Sequence, residues 1–191
     1  PDGRPRVLVT TAGGVASGKS RAIEQMFPDL VADANLVLDT QMRRAPGAIR
    51  KIDAAIERGW DVNIIYVQRP FRLVVRGAIE RGWGEGRWGS ILELPEIHRE
   101  VQRTIAEIAK RYESNQAVRI SVVDNPGTRD NPLPATEASI ADVRTGGRLY
   151  YGEDADLKSI VREELEAARA SGRYTDDYLD AIAERRAARE F

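Results

Sequence analysis

The clearest chemical pattern in the chain lies close to its beginning. Gly13-Gly14-Val15-Ala16-Ser17-Gly18-Lys19-Ser20 matches G-x-x-x-x-G-K-[ST] at every fixed position, with a β-rich run before it and a helical pattern after it. The glycines permit backbone torsion angles that a Cβ would forbid, so successive N–H groups can face phosphate oxygens. Lys19 can reach the β- and γ-phosphates of ATP, and the Ser20 hydroxyl can bind Mg²⁺. The pattern predicts a phosphate site; the alternative is a chance glycine turn.

An acidic residue follows the next β-rich run. Asp39 ends the run at 35–39, twenty positions after Lys19. Ligands of open parallel sheets lie beyond the carboxyl ends of the strands, so we expect Asp39 to face the γ-phosphate. There it can orient Mg²⁺ through water or accept the proton of a substrate hydroxyl. The alternative is a helix N-cap for the following segment. Thr40 is a weaker companion.

Several arginines follow the third β-rich run. Guanidinium groups stabilise the charge that phosphoryl transfer places on equatorial oxygens. Arg69 comes directly after that run, Arg76 and Arg81 lie near the end of the next helical pattern, and Arg87 lies within 82–90, which holds four glycines. We predict that this glycine-rich segment is not helical and acts as a mobile lid that excludes water. For each arginine, the alternative is an ordinary solvated surface position.

Other residues leave two interpretations open. Trp83 and Trp88 flank Arg87 and either stack on a ligand ring or anchor the segment to the core. His98, near the start of a long helical pattern, either contacts the substrate or has a structural role. The corner at 124–126 either touches the base or ribose of a nucleotide or forms a simple turn.

Alternating patterns of strands and helices position these residues. The pattern predicts strands at 7–11, 35–39, 61–67 and 118–124, and helices at 19–27, 46–58, 71–81 and 95–112. Such alternation indicates an α/β fold of the P-loop NTPase type, with three α/β/α layers and a mostly parallel sheet.

The remainder of the chain is predicted to be an extension. Residues 125–138 contain three prolines and no apolar period, which is typical of a linker or wrapping loop. Residues 149–151 are a candidate edge strand, and 154–171 and 175–189 are predicted helices of a C-terminal tail. We therefore divide the chain into a core, 1–125, and a linker with a helical extension, 126–191, packed on or beside that core.

Composition and charge exclude several classes of protein. The 191 residues include 29 basic and 30 acidic residues, no cysteine and one histidine. Disulfides, thiolate metal sites and a multi-histidine zinc centre are therefore excluded, and no general attraction to nucleic acid or anionic membranes exists. We expect a cytoplasmic location and no membrane partner. Because the chain begins with Pro1, we also expect a processed product or a part of a longer protein, which makes a neighbouring domain a candidate partner.

The ordered series of blocks resembles the zeta-toxin-like P-loop kinases. The blocks are AGGVASGKS, LVLDTQM, AIERGWDVNIIYVQRP, a lid with EGRW, then IHREV and ISVVDN, and they span residues 7–125. The resemblance implies an ATP-dependent kinase that phosphorylates a hydroxyl of a small molecule, such as a nucleotide or nucleotide sugar. It also implies that the activity in some members is toxic and held in check by an antitoxin.

The same resemblance assigns roles to individual residues. Lys19 and Ser20 match the phosphate and magnesium residues, Asp39 matches the residue that activates the acceptor, and Arg81 and Arg87 match lid arginines. The segment between the glycine loop and the third strand is shorter than in larger members, where an extra strand and helices build the acceptor pocket.

Two other classes of function compete with a small-molecule kinase. One is a nucleotide-binding module without turnover, serving regulation inside a larger polypeptide. The other is a nucleic-acid end kinase, which would need a basic track for the strand. The near-zero net charge argues against the second class.

Overall fold

A five-stranded sheet forms the centre of the molecule. The computed structural model describes residues 6–86, 89–127, 136–138 and 156–184. Within them the strands are β1 (Arg6–Ala12), β2 (Leu36–Leu38), β3 (Trp60–Gln68), β4 (Val118–Asp124) and β5 (Thr136–Ala138). Their order is β2-β1-β3-β4-β5. The first four are parallel to one another, and β5 pairs antiparallel with β4.

The parallel pairing brings four segments to one edge of the sheet. In register, Ala12 of β1 lies beside Tyr66 of β3, and Gln68 of β3 lies beside Asp124 of β4. The glycine loop, Asp39, Arg69 and Asn125 each come after one of these strands. They therefore meet at the carboxyl edge of the sheet, where α/β folds bind ligands.

Helices cover both faces of the sheet and complete three layers. The described helices are α1 (Lys19–Met26), α2 (Pro28–Ala32), α3 (Ala45–Ile56), α4 (Phe71–Glu85), α5 (Leu94–Arg111), α6 (Leu157–Ala170) and α7 (Asp176–Glu184), and a 3₁₀ turn spans Ile91–Glu93. Alternate residues of the central strands enter opposite cores. Leu8 and Ile64 pack with α3 and α5, whereas Val9 and Ile65 pack with α1. Strands buried on both faces explain the continuous apolar runs in the sequence.

The predicted α/β class is confirmed, but two local predictions were wrong and one helix was not predicted. Helix α4 continues to Glu85, over the first four residues of the glycine-rich segment, and ends at Gly86 in a left-handed conformation. Packing outweighs the poor helix propensity of glycine there, because Gly82 is buried. Residues 125–138 include strand β5, although we predicted only a linker or loop. Pro28 begins the unpredicted helix α2, since proline suits the first turn of a helix.

The C-terminal helices pack against α4. Leu157, Val161, Leu179 and Ile182 join the side chains of α4 in one buried apolar cluster. Glu164 of α6 is 3 % exposed and accepts hydrogen bonds from Arg72 (2.6 Å) and Arg76 (2.5 Å) of α4. The division of the chain at residue 125 stays a prediction. The predicted strand at 149–151 and the ends of the last helices at 154–155 and 185–189 lie outside the described residues.

None of the helices in the described ranges combines the length and the apolar character that crossing a membrane requires.

Candidate nucleotide-binding site

The backbone of the glycine loop requires glycine at two positions. Gly13 has φ +141° and Gly18 has φ +85°. A Cβ on Gly13 would lie 2.6 Å from the carbonyl oxygen of Val67, and one on Gly18 would lie 2.2 Å from Nδ2 of Asn125. Gly18 is also the N-cap of α1, so the positive end of that helix lies at the loop. Torsion angles and close packing therefore both explain the glycines of the motif.

A cleft of about 450 Å³ lies along this loop. It is lined by the loop and by residues from the neighbouring strand ends and α4: Ala16, Ser17, Gly18, Lys19, Ser20, Arg21, Asp39, Arg69, Gly77, Glu80, Arg81, Glu85, Asn125 and Gly127. The size is within the usual range for sites that bind small ligands. Most of the residues predicted from the motif thus share one cavity.

The loop has the properties of a phosphate site. The Ser17 hydroxyl is buried and has no hydrogen-bond partner within the part of the chain that the structure describes. The Lys19 ammonium donates to the carbonyl oxygens of Gly13 (3.2 Å) and Gly14 (3.3 Å). Burial lowers the pKa of Lys19, the charge of Asp39 opposes that shift, and the charge of Arg81 adds to it. A desolvated ammonium beside an arginine favours an anionic ligand.

Asp39 is held in place by the end of β1. The Thr11 hydroxyl donates to Oδ1 of Asp39 (2.6 Å) and accepts from the Thr40 amide (2.8 Å). The Thr40 hydroxyl donates back to the carbonyl oxygen of Thr11 (2.7 Å), so it fixes the loop. The N-cap of α3 is Arg44, and the alternative role of Asp39 as the N-cap of that helix is therefore wrong. We did not predict Thr11, whose only signal in the sequence is a polar residue within an apolar strand.

Arg69 connects the glycine loop to the segment after β4. Its guanidinium donates to the carbonyl oxygens of Ala16 (2.7 Å) and Gly127. Burial lowers its pKa. Gly77 of α4 leaves the room for this contact, because a Cβ there would lie 3.0 Å from a nitrogen of Arg69. Arg69 lines the cleft, but the two nitrogens described here bind backbone oxygens.

Helix α4 separates the predicted arginines. Arg81 lines the cleft together with Gly77 and Glu80, and its Nε donates to Glu85 (3.0 Å). Arg76 instead lies on the side that faces α6, where it binds Glu164. Neighbouring residues of a helix point in different directions. Arg76 therefore does not line the cleft, although it is close in the sequence to residues that do. Arg87 lies outside the described residues.

The remaining candidate residues differ in whether they line the cleft. The Asn125 side chain lines the cleft and donates to the carbonyl oxygen of Ser17 (2.8 Å). The Trp83 ring packs against those of Tyr174 and Tyr178, with centroid distances of 5.9 and 5.2 Å, which favours the anchoring role. Trp88 lies outside the described residues. His98 is 6 % exposed on the buried side of α5 and does not line the cleft.

Protonation of His98 is expected to destabilise the fold as the pH falls. Burial and the charge of Arg99 lower its pKa from 6.5 to about 4. Between these values the unfolded chain binds a proton that the folded chain does not. Stability is therefore lost from about pH 6.5 down to about pH 4, by about 3 kcal/mol in total.

Urea unfolding at pH 7 and pH 4 measures this effect, with His98→Asn as the uncharged control. Between pH 7 and pH 4, the free energy of unfolding should fall by up to about 3 kcal/mol more in the parent protein than in the variant. Equal losses in both proteins would contradict the prediction, because carboxylates contribute equally to each.

Side chains that fit Mg²⁺ lie in the cleft. Among the ranges that the structure describes, no group of three or more His, Cys, Asp or Glu residues could hold a metal. Mg²⁺ commonly uses one or two protein ligands together with water and substrate phosphates. Ser20 and Asp39, both in the cleft lining, are oxygen donors of the kind that such a site uses.

The structure has a glycine loop that leads into a helix at the carboxyl edge of a parallel sheet, with a lysine and an acid in one cleft. This arrangement defines a P-loop nucleotide-binding domain of the kinase type. The family model described as Zeta toxin matches residues 9–131, which is more than half of the chain. The chain belongs to the zeta-toxin family. No curated protein sequence matches it significantly.

Solved structures share the fold at low sequence identity. The crystal structure of AvrRxo1-ORF1:AvrRxo1-ORF2 with sulphate ions matches 96 % of this chain and 82 % of its own, with a TM-score of 0.68 and 14 % identity. The structure of AvrRxo1-ORF1:-ORF2 with ATP has the same values. A structure of the PezAT toxin-antitoxin system of Streptococcus pneumoniae matches 91 % of this chain and 90 % of its own, with a TM-score of 0.50 and 11 % identity.

Proposed function

We propose that the protein transfers the γ-phosphoryl group of ATP to a hydroxyl of a small molecule, such as a nucleotide or a nucleotide sugar. The observation that carries the proposal is the presence in one cleft of Lys19, at the start of the helix that follows β1 and the glycine loop, and Asp39, directly after the adjacent parallel strand β2. Membership of the zeta-toxin family supports it. A structural neighbour that contains ATP gives further support.

The side chains of the cleft divide the work of phosphoryl transfer. The amides of the glycine loop and the Lys19 ammonium bind the phosphates, and Arg81 adds positive charge at the same cleft. The acceptor oxygen bonds to the γ-phosphorus while the bond from that phosphorus to the β–γ bridging oxygen breaks. Asp39, oriented by its hydrogen bond from Thr11, takes the acceptor proton. The products are ADP and a phosphate ester.

Magnesium is part of the proposed scheme. Ser20 and Asp39 are the residues that would hold it, directly or through water. When bound, the ion neutralises negative charge on the phosphate oxygens. The Asp39 carboxylate then has two candidate roles, proton acceptance and orientation of the ion.

Calorimetry and isotope transfer test the proposal together. ATP binding is measured with and without Mg²⁺, and γ-labelled ATP is then incubated with the protein and a pool of cell metabolites. Binding and a labelled phosphate ester are expected. Binding without a labelled product would favour a nucleotide-binding module without turnover, and no binding would contradict the proposal.

An antitoxin is the protein partner that we propose. The support is that one structural neighbour belongs to a toxin-antitoxin system. Co-expression with the product of an adjacent gene, followed by size-exclusion chromatography, tests for a stable complex.

Arg69→Met is expected to weaken ATP binding about tenfold while leaving the protein folded. The variant loses two charged hydrogen bonds that join the glycine loop to the segment after β4, so ordering the loop would cost part of the free energy of ATP binding. Calorimetric titration with ATP measures the loss. Arg58→Met is the matched control, because Arg58 donates to the carbonyl oxygen of Ala54 on the exposed side of α3. Equal affinity in both variants would exclude a positioning role for Arg69.

A further inference from the structure

Strand β2 forms one edge of the sheet. It pairs with β1 along its three residues, Leu36–Leu38, and in the part of the chain that the structure describes no other strand lies beside it. Edge strands commonly avoid contact with other chains by means of short length, charged residues, proline or bulges. Strand β2 is short, but it contains neither proline nor a charged residue. Its outer side is therefore open to pairing with a further strand.

Large apolar side chains are exposed along this edge. Leu36 is 42 % exposed and Val37 is 41 % exposed, and within the described ranges only Trp83 and Leu92 are other large apolar residues that are exposed. Successive residues of a strand point to opposite faces, so each face of the sheet has an apolar residue at this edge. Single exposed apolar residues are ordinary, but adjacent ones at an unpaired edge form a continuous apolar surface, which is typical of an interaction site.

A groove of about 440 Å³ continues this surface between β2 and α3. Leu38 of β2 and Ala48 and Ile52 of α3 are among its apolar lining residues, and they belong to the core on that face of the sheet. A strand that is added beside β2 would direct every second side chain to the same face. The groove therefore offers apolar contacts to those side chains, in addition to the main-chain groups of β2.

The charges of the groove indicate the chemistry of its partner. Arg44 and Lys51 line it and are exposed, and their side chains form no ion pair or hydrogen bond with any residue that the structure describes. Arg43, the third cation of the lining, is paired with Glu96 and Glu100 of α5. Acidic side chains of a partner would form charge-assisted hydrogen bonds with the first two cations, so charge complementarity favours an acidic segment.

We propose that the edge of β2 and the adjoining groove bind an extended segment of another protein, which adds a strand to the sheet. The segment has apolar residues at its centre, beside Leu36 and Val37, and acidic residues next to them that reach Arg44 and Lys51. Main-chain hydrogen bonds give affinity in this mode of binding, and the side chains give specificity. The inference goes beyond the proposed function and does not depend on phosphoryl transfer.

Binding of a defined peptide is the first test. The probe is a short fluorescein-labelled peptide with valines at its centre and glutamates on both sides, and fluorescence anisotropy follows its titration with the full chain. A second peptide has lysine in place of each glutamate, and a third has N-methyl groups on its central amides. We expect saturable binding of the first peptide and at least about tenfold weaker binding of the other two, which lack the negative charge or the main-chain donors.

Substitutions on the surface test where the peptide binds. Val37→Lys places a charge on the edge, and Leu92→Lys is the matched control, because Leu92 is also an exposed apolar residue but belongs to the 3₁₀ turn and not to the sheet. Lys51→Glu reverses a charge of the groove, and Lys110→Glu, at an exposed position of α5 outside the groove, is its control. Affinity for the first peptide should fall at least about tenfold in Val37→Lys and Lys51→Glu and change little in the controls. Thermal unfolding verifies that every variant is folded.

Hydrogen exchange tests whether a strand is added. Amides within residues 36–38 should exchange more slowly when the valine–glutamate peptide is bound, whereas those of α6 should not change. No saturable binding of this peptide, or equal affinity in the Val37→Lys and Leu92→Lys variants, would overturn the inference. A dimer of the protein alone that Val37→Lys abolishes would also overturn it, because a second copy of the chain would then occupy the edge.

Discussion

Lys19→Met is expected to lower kcat/KM for phosphoryl transfer by about 10²–10³-fold. The ammonium is the cation of the glycine loop, and charge that develops on the phosphate oxygens in the transition state loses its compensation. Methionine keeps most of the aliphatic chain. Since burial already lowers the pKa of Lys19, removal of its charge should not destabilise the folded protein. Weaker ATP binding should accompany the loss of rate.

Initial rates with γ-labelled ATP and the acceptor found in the metabolite pool measure this effect. Lys110→Met, at an exposed position near the end of α5, is the control for loss of one positive charge. Thermal unfolding verifies that both variants are folded. Transfer by the Lys19→Met variant at a rate within about threefold of the parent would contradict the assigned role and, with it, the proposed function.

Asp39→Asn is expected to lower kcat by about 10²–10⁴-fold with a much smaller change in ATP affinity. Asparagine has nearly the same shape, and its amide oxygen can still accept the hydrogen bond from Thr11. It cannot take a proton from the acceptor hydroxyl. The variant therefore removes the chemical role of the residue while keeping its place at the end of β2.

Measurements of kcat and of calorimetric ATP affinity on the same protein samples test whether Asp39 acts in the reaction rather than in ATP binding. Asp33→Asn is the control, because Asp33 is an exposed carboxylate that precedes β2, at the opposite end of that strand. A parent-like kcat in the Asp39→Asn variant would exclude proton acceptance. If raised Mg²⁺ concentrations restore the rate, orientation of the ion is the main role of Asp39. A loss that Mg²⁺ does not relieve supports proton acceptance.

The glycine motif and the strand pattern predicted much of the site because both depend on residues that are close together in the sequence. Eight consecutive residues specify the loop, and alternation of strands and helices predicts a parallel sheet. In such a sheet the strands end at one edge, so the meeting of Lys19, Asp39 and Arg69 could be expected before the structure was known. The separate contributions of these residues to catalysis remain predictions.

Other features depended on contacts between distant segments. The bond from Thr11 to Asp39 spans 28 positions, and that from Arg69 to Gly127 spans 58. The sequence does not distinguish Arg76 from Arg81, because both are arginines in one helical pattern. Only the packing of α6 against α4 places Arg76 in an ion pair with Glu164. The continuation of α4 through its glycines has the same cause, because burial against other helices outweighs local propensity.

By itself, the sequence determined the class of fold, because backbone torsion preferences and hydrophobic periodicity are local properties. It also predicted the kind of ligand and the edge of the sheet where we propose that the ligand binds. Only the tertiary structure decided which polar side chains face the cleft and which are neutralised elsewhere. It also placed Ile182 of α7 in the apolar cluster against which Val15 of the glycine loop packs. Burial and side-chain direction depend on the packing of whole elements, and no local pattern in the sequence encodes that packing.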